Sequence, residues 1–160
     1  MLFRSVIAYD PFVPPEKGVE LGVEMVALDD LYRRADAITA HTQLTPDTRG
    51  MVNDLAIDKM KKGVLLVNCS RGGVFDEKAL ERGLASGKLG GVALDDFVEE
   101  PPPADHPLLK LDNVVVTPHI AASTDEAQER VALEICAQIV DYLAHGKIQN
   151  AVNAERVAKR

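Results

Sequence analysis

Short apolar runs alternate with segments of helical spacing along nearly the whole chain. Val6-Ile7-Ala8-Tyr9 reads as a first strand ending at Asp10-Pro11, Pro15 to Leu21 as a short helix and Val23 to Ala27 as a short strand. Leu28 to Ala35 predicts a brief amphipathic helix, and Ala37 to His41 the next strand. Thr45 as N-cap with Pro46 behind it predicts a helix start, because proline's missing N–H costs nothing at the first helical position. Gly63 to Asn68 is apolar enough for a central strand buried on both faces. Asp76 to Ser86 is helical and stops at Gly87, a residue free to take positive φ. Gly91 to Leu94 and Val114 to Thr117 are strands, and the proline-rich loop Glu99 to Pro107 joins them by a stiff path. Ser123 and Glu126 have capping-box spacing and open a helix to about His145, with Ala127, Val131, Ile135, Ile139 and Leu143 on one stripe. The alternation predicts an α/β fold, a doubly wound parallel sheet with helices on both faces.

Composition narrows the function classes. The 160 residues suit one domain. Aromatic residues make up 4% and Trp is absent, so the expected core is aliphatic. A net charge of −7 repels phosphate backbones and anionic lipid, which argues against nucleic-acid and membrane partners. The sequence has no apolar run of membrane-spanning length and no signal-peptide pattern at its start. Cys69 and Cys136 form no ligand spacing. The expectation is a reduced, cytoplasmic protein.

Three runs carry chemistry: Asn68-Cys69-Ser70-Arg71-Gly72-Gly73, Leu94 to Pro101, and Thr117-Pro118-His119-Ile120. Each follows a predicted strand, so each falls at the carboxyl edge of a parallel sheet, where open α/β folds bind ligands. Arg71 can grip a carboxylate and an adjacent oxygen with parallel hydrogen bonds. His119 can donate a proton to a carbonyl, and Glu100 beside it favours the imidazolium. Asp10, at the end of the first strand, suits the two ribose hydroxyls of an adenosine and repels a 2′-phosphate, which favours NAD over NADP. A metal site built from His106, His119 and carboxylates has no supporting ligand spacing, so no metal is expected. Gly83 to Leu89 imitates a phosphate loop but is one residue short and sits at a helix end.

These motifs resemble the D-isomer-specific 2-hydroxyacid dehydrogenases. The likeness runs through VIAYDPF at Val6, HTQLTPDTRG at His41, NCSRGGVFDEKAL at Asn68, the segment Gly90 to Leu108 and TPHIAAST at Thr117, ending near Asn150 to Asn153. It implies a Rossmann-like sheet and NAD as cofactor. It also implies reversible hydride transfer on a D-2-hydroxy or 2-oxo acid, of the type that acts on 3-phosphoglycerate. Arg71, Glu100 and His119 are implied as the catalytic trio. Asp10 would hold the adenosine ribose and Asp95 the nicotinamide carboxamide. Thr42, the backbone from Cys69 through Ser70 to Arg71, and the turn from His119 through Ala121 and Ala122 would line the rest of the cofactor site. A homodimer is implied for the full-length parent. Glyoxylate or hydroxypyruvate reduction is the catalytic alternative, and a non-catalytic binding or dimerisation module the non-enzymatic one.

Departures from the family pattern are informative. Gln43 stands where proline is usual, Ala121 where glycine is frequent, and Asp96 where a valine normally follows the aspartate. The chain starts ahead of the second strand of the resembled fold. The first strand and its GxGxxG loop are then expected to be absent. Residues 1–150 read as a partial NAD-binding domain, and 151–160 as the start of a return to a missing substrate domain. Little or no turnover is expected of the isolated 160 residues.

Overall fold

The computed structural model describes residues 5–151. Readings that fall on residues 1–4 and 152–160, including nearly all of the return segment, lie outside the described residues. The chain divides into two compact units, Met1–His119 and Ile120–Arg160. That boundary falls inside the stretch 1–150.

The first unit alternates strands and helices. Its elements are β1 (Ile7–Ala8), α1 (Pro15–Glu20), β2 (Glu24–Met25), α2 (Leu28–Arg34), β3 (Ala37–Ala40) and α3 (Asp54–Lys59). They continue with β4 (Val64–Asn68), α4 (Glu77–Ala85), β5 (Leu89–Leu94), a 3-10 turn at Pro107–Lys110 and β6 (Val114–Val116). Every strand pairing is parallel, as the α/β reading requires. The strands form two sheets, β1-β2 and the four-stranded β3-β4-β5-β6.

Register decides which residues share a face. Ile38, Leu66, Val92 and Val114 are in-register neighbours across β3 to β6 and project to one side of the sheet. That side meets Tyr32 of α2, Ala56 and Ile57 of α3, and Ala79, Leu80 and Leu84 of α4 in a single apolar cluster. The opposite side carries Leu65 and Val115, which are 47% and 65% exposed. The expectation that β4 is buried on both faces is therefore corrected. It has strand neighbours on both edges, yet Leu65 on its other face is exposed among the described residues, so an unbroken apolar run did not signify two-sided burial.

Helix ends follow local chemistry. Asp76 caps α4 by accepting from the N–H groups of Lys78 and Ala79, and Gly87 takes φ +70° just past its end. The helix predicted at Thr45-Pro46 is a single turn. Arg49 N–H donates to the Thr45 carbonyl, but Gly50 at φ +62° ends the turn and hands its own N–H to the Gly73 carbonyl. The helix starts later, with the Asn53 side chain accepting from Ala56 N–H at 3.1 Å.

The second unit is built on α5 (Asp125–His145). Its N-cap is Thr124, whose side chain accepts from Ala127 N–H at 3.2 Å, so the Ser123–Glu126 capping box is replaced by a cap one residue later. None of the α5 residues is buried, and Val131, Ile135, Ile139 and Leu143 of the predicted stripe are exposed. Among the described residues, no helix is long and apolar enough to cross a membrane.

The packed face concentrates stability at a few side chains. Leu80 is fully buried, whereas Leu55 on α3 is 73% exposed. Leu80→Ala is expected to lower unfolding free energy by about 2–5 kcal/mol through lost burial and a residual cavity. Leu55→Ala should change it by no more than about 0.5 kcal/mol. Urea unfolding of both variants checks the contrast.

Candidate active site

Ala40, Asn68, Leu94 and Val116 lie in one hydrogen-bonded row across β3 to β6. Because the strands are parallel, the chain leaves this row in one direction. His41, Cys69, Asp95 and Thr117 are thus the first residues beyond a common edge.

The loop after β4 is shaped by Asn68, which is 1% exposed. Its Oδ1 accepts from Ser70 N–H at 3.1 Å and from the Ser70 hydroxyl at 2.6 Å. Its Nδ2 donates to the Arg71 carbonyl at 3.0 Å. Arg71 itself is exposed, with Nη1 donating to the Ser70 carbonyl at 2.6 Å. Gly72 lets this loop touch the next one: a Cβ there would lie 1.8 Å from the Phe97 carbonyl oxygen. The sequence reading assigned no role to Asn68. The available signal was an amide ending a buried strand just before small residues.

A cleft of ≈ 580 Å³ lies between the loop His41–Leu44 and the loop Cys69–Arg71. It brings together Thr42, Cys69, Ser70 and Arg71, four of the residues implied for the cofactor. The Gln43 carbonyl at its wall is held by the Thr48 hydroxyl at 2.6 Å. Partial burial, then the charges of Asp95 and Asp96, push the Cys69 thiol up, which disfavours its reactive thiolate.

The loops after β5 and β6 meet at an acid–imidazole cluster. Asp95 is 4% exposed and accepts a hydrogen bond from the Thr117 hydroxyl. Glu100 Oε1 accepts from Phe97 N–H at 3.1 Å, and Oε2 lies 2.9 Å from His119 Nδ1. On the other side of the ring, Asp96 Oδ1 is 3.3 Å from Nε2. His119 takes the left-handed backbone conformation, φ 55°, rare for a residue with a side chain and frequent where geometry serves a site.

Charge follows this geometry. The hydrogen bond to Glu100 and then the charge of Asp96 raise the His119 pKa. The bond from His119 and then the Phe97 N–H lower that of Glu100. Burial pushes the Asp96 carboxyl up, opposed by the His119 charge. Arg71 also acts on Asp96, so the arginine loop and the histidine share one electrostatic environment. Donor atoms of Asp96, Glu100 and His119 lie within 4.8 Å of one another, close enough for a metal-like cluster. Each carboxylate, however, faces a different ring nitrogen. A metal ion on one nitrogen would have the imidazole between it and the other acid, so the arrangement suits an imidazolium better than a bound metal ion.

The remaining sequence candidates have contacts of their own. Asp10 ends the β1 segment and accepts from Phe12 N–H at 2.8 Å through Oδ1. Ala121 and Ala122 belong to the second unit, where the Ala122 carbonyl accepts from Gln128 at 2.8 Å. His106 has no place in the cluster. Its Nε2 lies 3.3 Å from Glu77 Oε2, while Glu77 Oε1 accepts from Val98 N–H at 2.7 Å. Those contacts pin the segment carrying Glu100 to α4, a role the sequence reading did not assign.

Comparison with known proteins gives the geometry a family. Residues 3–121 match the family described as D-isomer specific 2-hydroxyacid dehydrogenase, NAD binding domain. The D-3-phosphoglycerate dehydrogenase of Archaeoglobus fulgidus is 48% identical over 152 residues, covering 95% of this chain and 29% of that protein. The crystal structure of a glyoxylate reductase from Paecilomyes thermophila superposes with TM-score 0.81 at 32% identity, over 94% of this chain and 45% of that one. A D-lactate dehydrogenase from Aquifex aeolicus, complexed with NAD and lactic acid, gives TM-score 0.73 at 35% identity, over 89% of this chain and 46% of its own. The chain therefore spans less than a third of the first relative and under half of either structure.

The close approach at Gly72 yields a direct check. Gly72→Ala is expected to force the Arg71 and Phe97 loops apart, lowering stability by about 1–3 kcal/mol. Amide resonances of Phe97 and Val98 should move together with those of Ser70 and Arg71, read by nitrogen–proton correlation spectra.

Proposed function

The chain belongs to the D-isomer-specific 2-hydroxyacid dehydrogenase family through its NAD-binding domain, and from that premise we propose that it serves NAD-dependent oxidoreduction of a D-2-hydroxy acid, of the 3-phosphoglycerate dehydrogenase type. The observation that carries this reading is the Glu100–His119 pair at 2.9 Å, at the same sheet edge as the Arg71 loop.

The donor set fits a dinucleotide. Asp95 is a buried acceptor suited to a carboxamide N–H, and the cleft beside Thr42 and Ser70 offers hydroxyls and backbone groups. Asp10 retains Oδ2 for ribose hydroxyls while Oδ1 fixes the local turn. Bound there, the nicotinamide cofactor supplies or accepts the hydride. Arg71 would turn its guanidinium from the Ser70 carbonyl to the substrate's carboxylate and 2-oxygen. His119 would give Nε2–H to that oxygen during reduction and take the proton back during oxidation. Glu100 at Nδ1 orients the ring and stabilises its charged form.

A phosphorylated three-carbon acid is favoured by the 48% identity to a D-3-phosphoglycerate dehydrogenase. The structural likeness to a glyoxylate reductase makes glyoxylate or hydroxypyruvate the second substrate class. A homodimeric parent enzyme belongs to the same proposal. The exposed free thiols of Cys69 and Cys136 fit a reducing, cytoplasmic compartment.

Two outcomes in the full-length parent enzyme test the mechanism. Reduction of a 2-oxo acid by NADH needs protonated His119, whose pKa is raised. The reductive rate should therefore persist above pH ~6.5, the ordinary histidine value, and fall as pH rises through the raised one, while oxidation rises over the same interval. Glu100→Gln should move both limbs to lower pH and slow turnover by about 10²-fold or more. Stopped-flow absorbance of NADH across pH reads this, and unchanged limbs in the variant would refute the pairing. Arg71→Lys loses the bidentate grip, so KM for the acid should rise by about tenfold or more with cofactor affinity little changed. Steady-state kinetics and fluorescence titration with NADH separate those effects.

A further inference from the structure

Glu100 alone accounts for the orientation of His119, since it fixes Nδ1 at 2.9 Å. Asp96 is then an unexplained expense. Its side chain is 2% exposed, its Oδ1 has no hydrogen-bond partner, and the nitrogen facing that oxygen is His119 Nε2 at 3.3 Å. A buried carboxylate oxygen left in this state calls for a reason. Two ionised carboxylates on opposite nitrogens are both satisfied only by a ring carrying both protons, because neutral imidazole has a single N–H.

We propose that Asp96 is a positioning residue that grips His119 from the Nε2 side, opposite Glu100, and holds the ring in its doubly protonated form until substrate arrives. The inference deepens the dehydrogenase reading and rests on it. The charged groups acting on the ring are Glu100, Asp96 and Asp95, while Arg71 acts on Asp96 from the loop after β4. The 3.3 Å separation exceeds the usual N–H···O length, so a substrate oxygen can take over the Nε2 proton without breaking a strong bond. Proton donation, the reductive direction, is the step this arrangement favours. The raised pKa of His119, to which Asp96 contributes after Glu100, has the same sense.

The test reads His119 directly, by nitrogen-15 NMR titration of the imidazole in the 160-residue chain. Asp96→Asn preserves shape and keeps one acceptor oxygen while removing the charge. The His119 midpoint should fall, with the protonation equilibrium changing by at least about fivefold, as expected for one charge ~4 Å away even in bulk water. A folded variant whose midpoint stays at the wild-type pH overturns the proposal. Where the substitution prevents folding, carbon-13 titration of the Asp96 carboxyl in the wild-type chain decides. An inflection at the His119 midpoint supports the grip, and a curve without one overturns it. Neither readout needs turnover. A shifted midpoint without hydride transfer in the full enzyme supports the grip and sinks the dehydrogenase reading, whereas transfer with an unmoved midpoint does the reverse.

Discussion

In-register pairing of β3, β4, β5 and β6 aligns Ala40, Asn68, Leu94 and Val116 in one row, and the rest of the site depends on that alignment. A slip by one residue would turn every side chain to the opposite face. Leu66 and Val92 would leave the packed side, and the loops bearing Arg71, Glu100 and His119 would start from different heights. Burial of the apolar row therefore fixes the position of the polar one. The core and the chemistry are two consequences of a single register.

That edge concentrates negative charge. Asp95 and Asp96 are buried within it, and Glu100 stands beside them. Uncompensated carboxylates in such a place carry a large desolvation cost. Compensation comes from the Thr117 hydroxyl donating to Asp95, the Phe97 N–H and His119 Nδ1 at Glu100, and the charge of the His119 ring 3.3 Å from Asp96. The ring that would exchange protons is thus also the cation around which the acids gather. Arg71 adds a second positive charge that acts on Asp96, and it is exposed.

Support for this edge is local. Asn68 ties down the arginine loop from below. Glu77, at the start of α4, reaches both Val98 and His106 and so anchors the segment bearing Glu100. Gly72 permits the two loops to touch at backbone distance. A reaction-competent arrangement requires such rigid backing, because small displacements of reacting groups carry large rate penalties.

The succession of strands and helices and the stop of α4 at Gly87 were legible from the sequence, since each is encoded by neighbouring residues. The family resemblance rested on ordered motifs, and the matched relatives agree with it. The helix at Thr45 was misread because Gly50 and a partner carbonyl at Gly73 end it, an influence from more than twenty residues away. Two-sided burial of β4 was misread because an apolar strand states what it tolerates and cannot name which layers reach it. Asp96 was visible as a second carboxylate, yet its place on Nε2 follows only from how the β5 and β6 loops fold onto each other. Sequence by itself determined which chemical groups lie beyond each strand, because parallel strands place their following loops at one edge. Tertiary structure alone decided which nitrogen each acid faces, because that depends on contacts between segments remote in the chain.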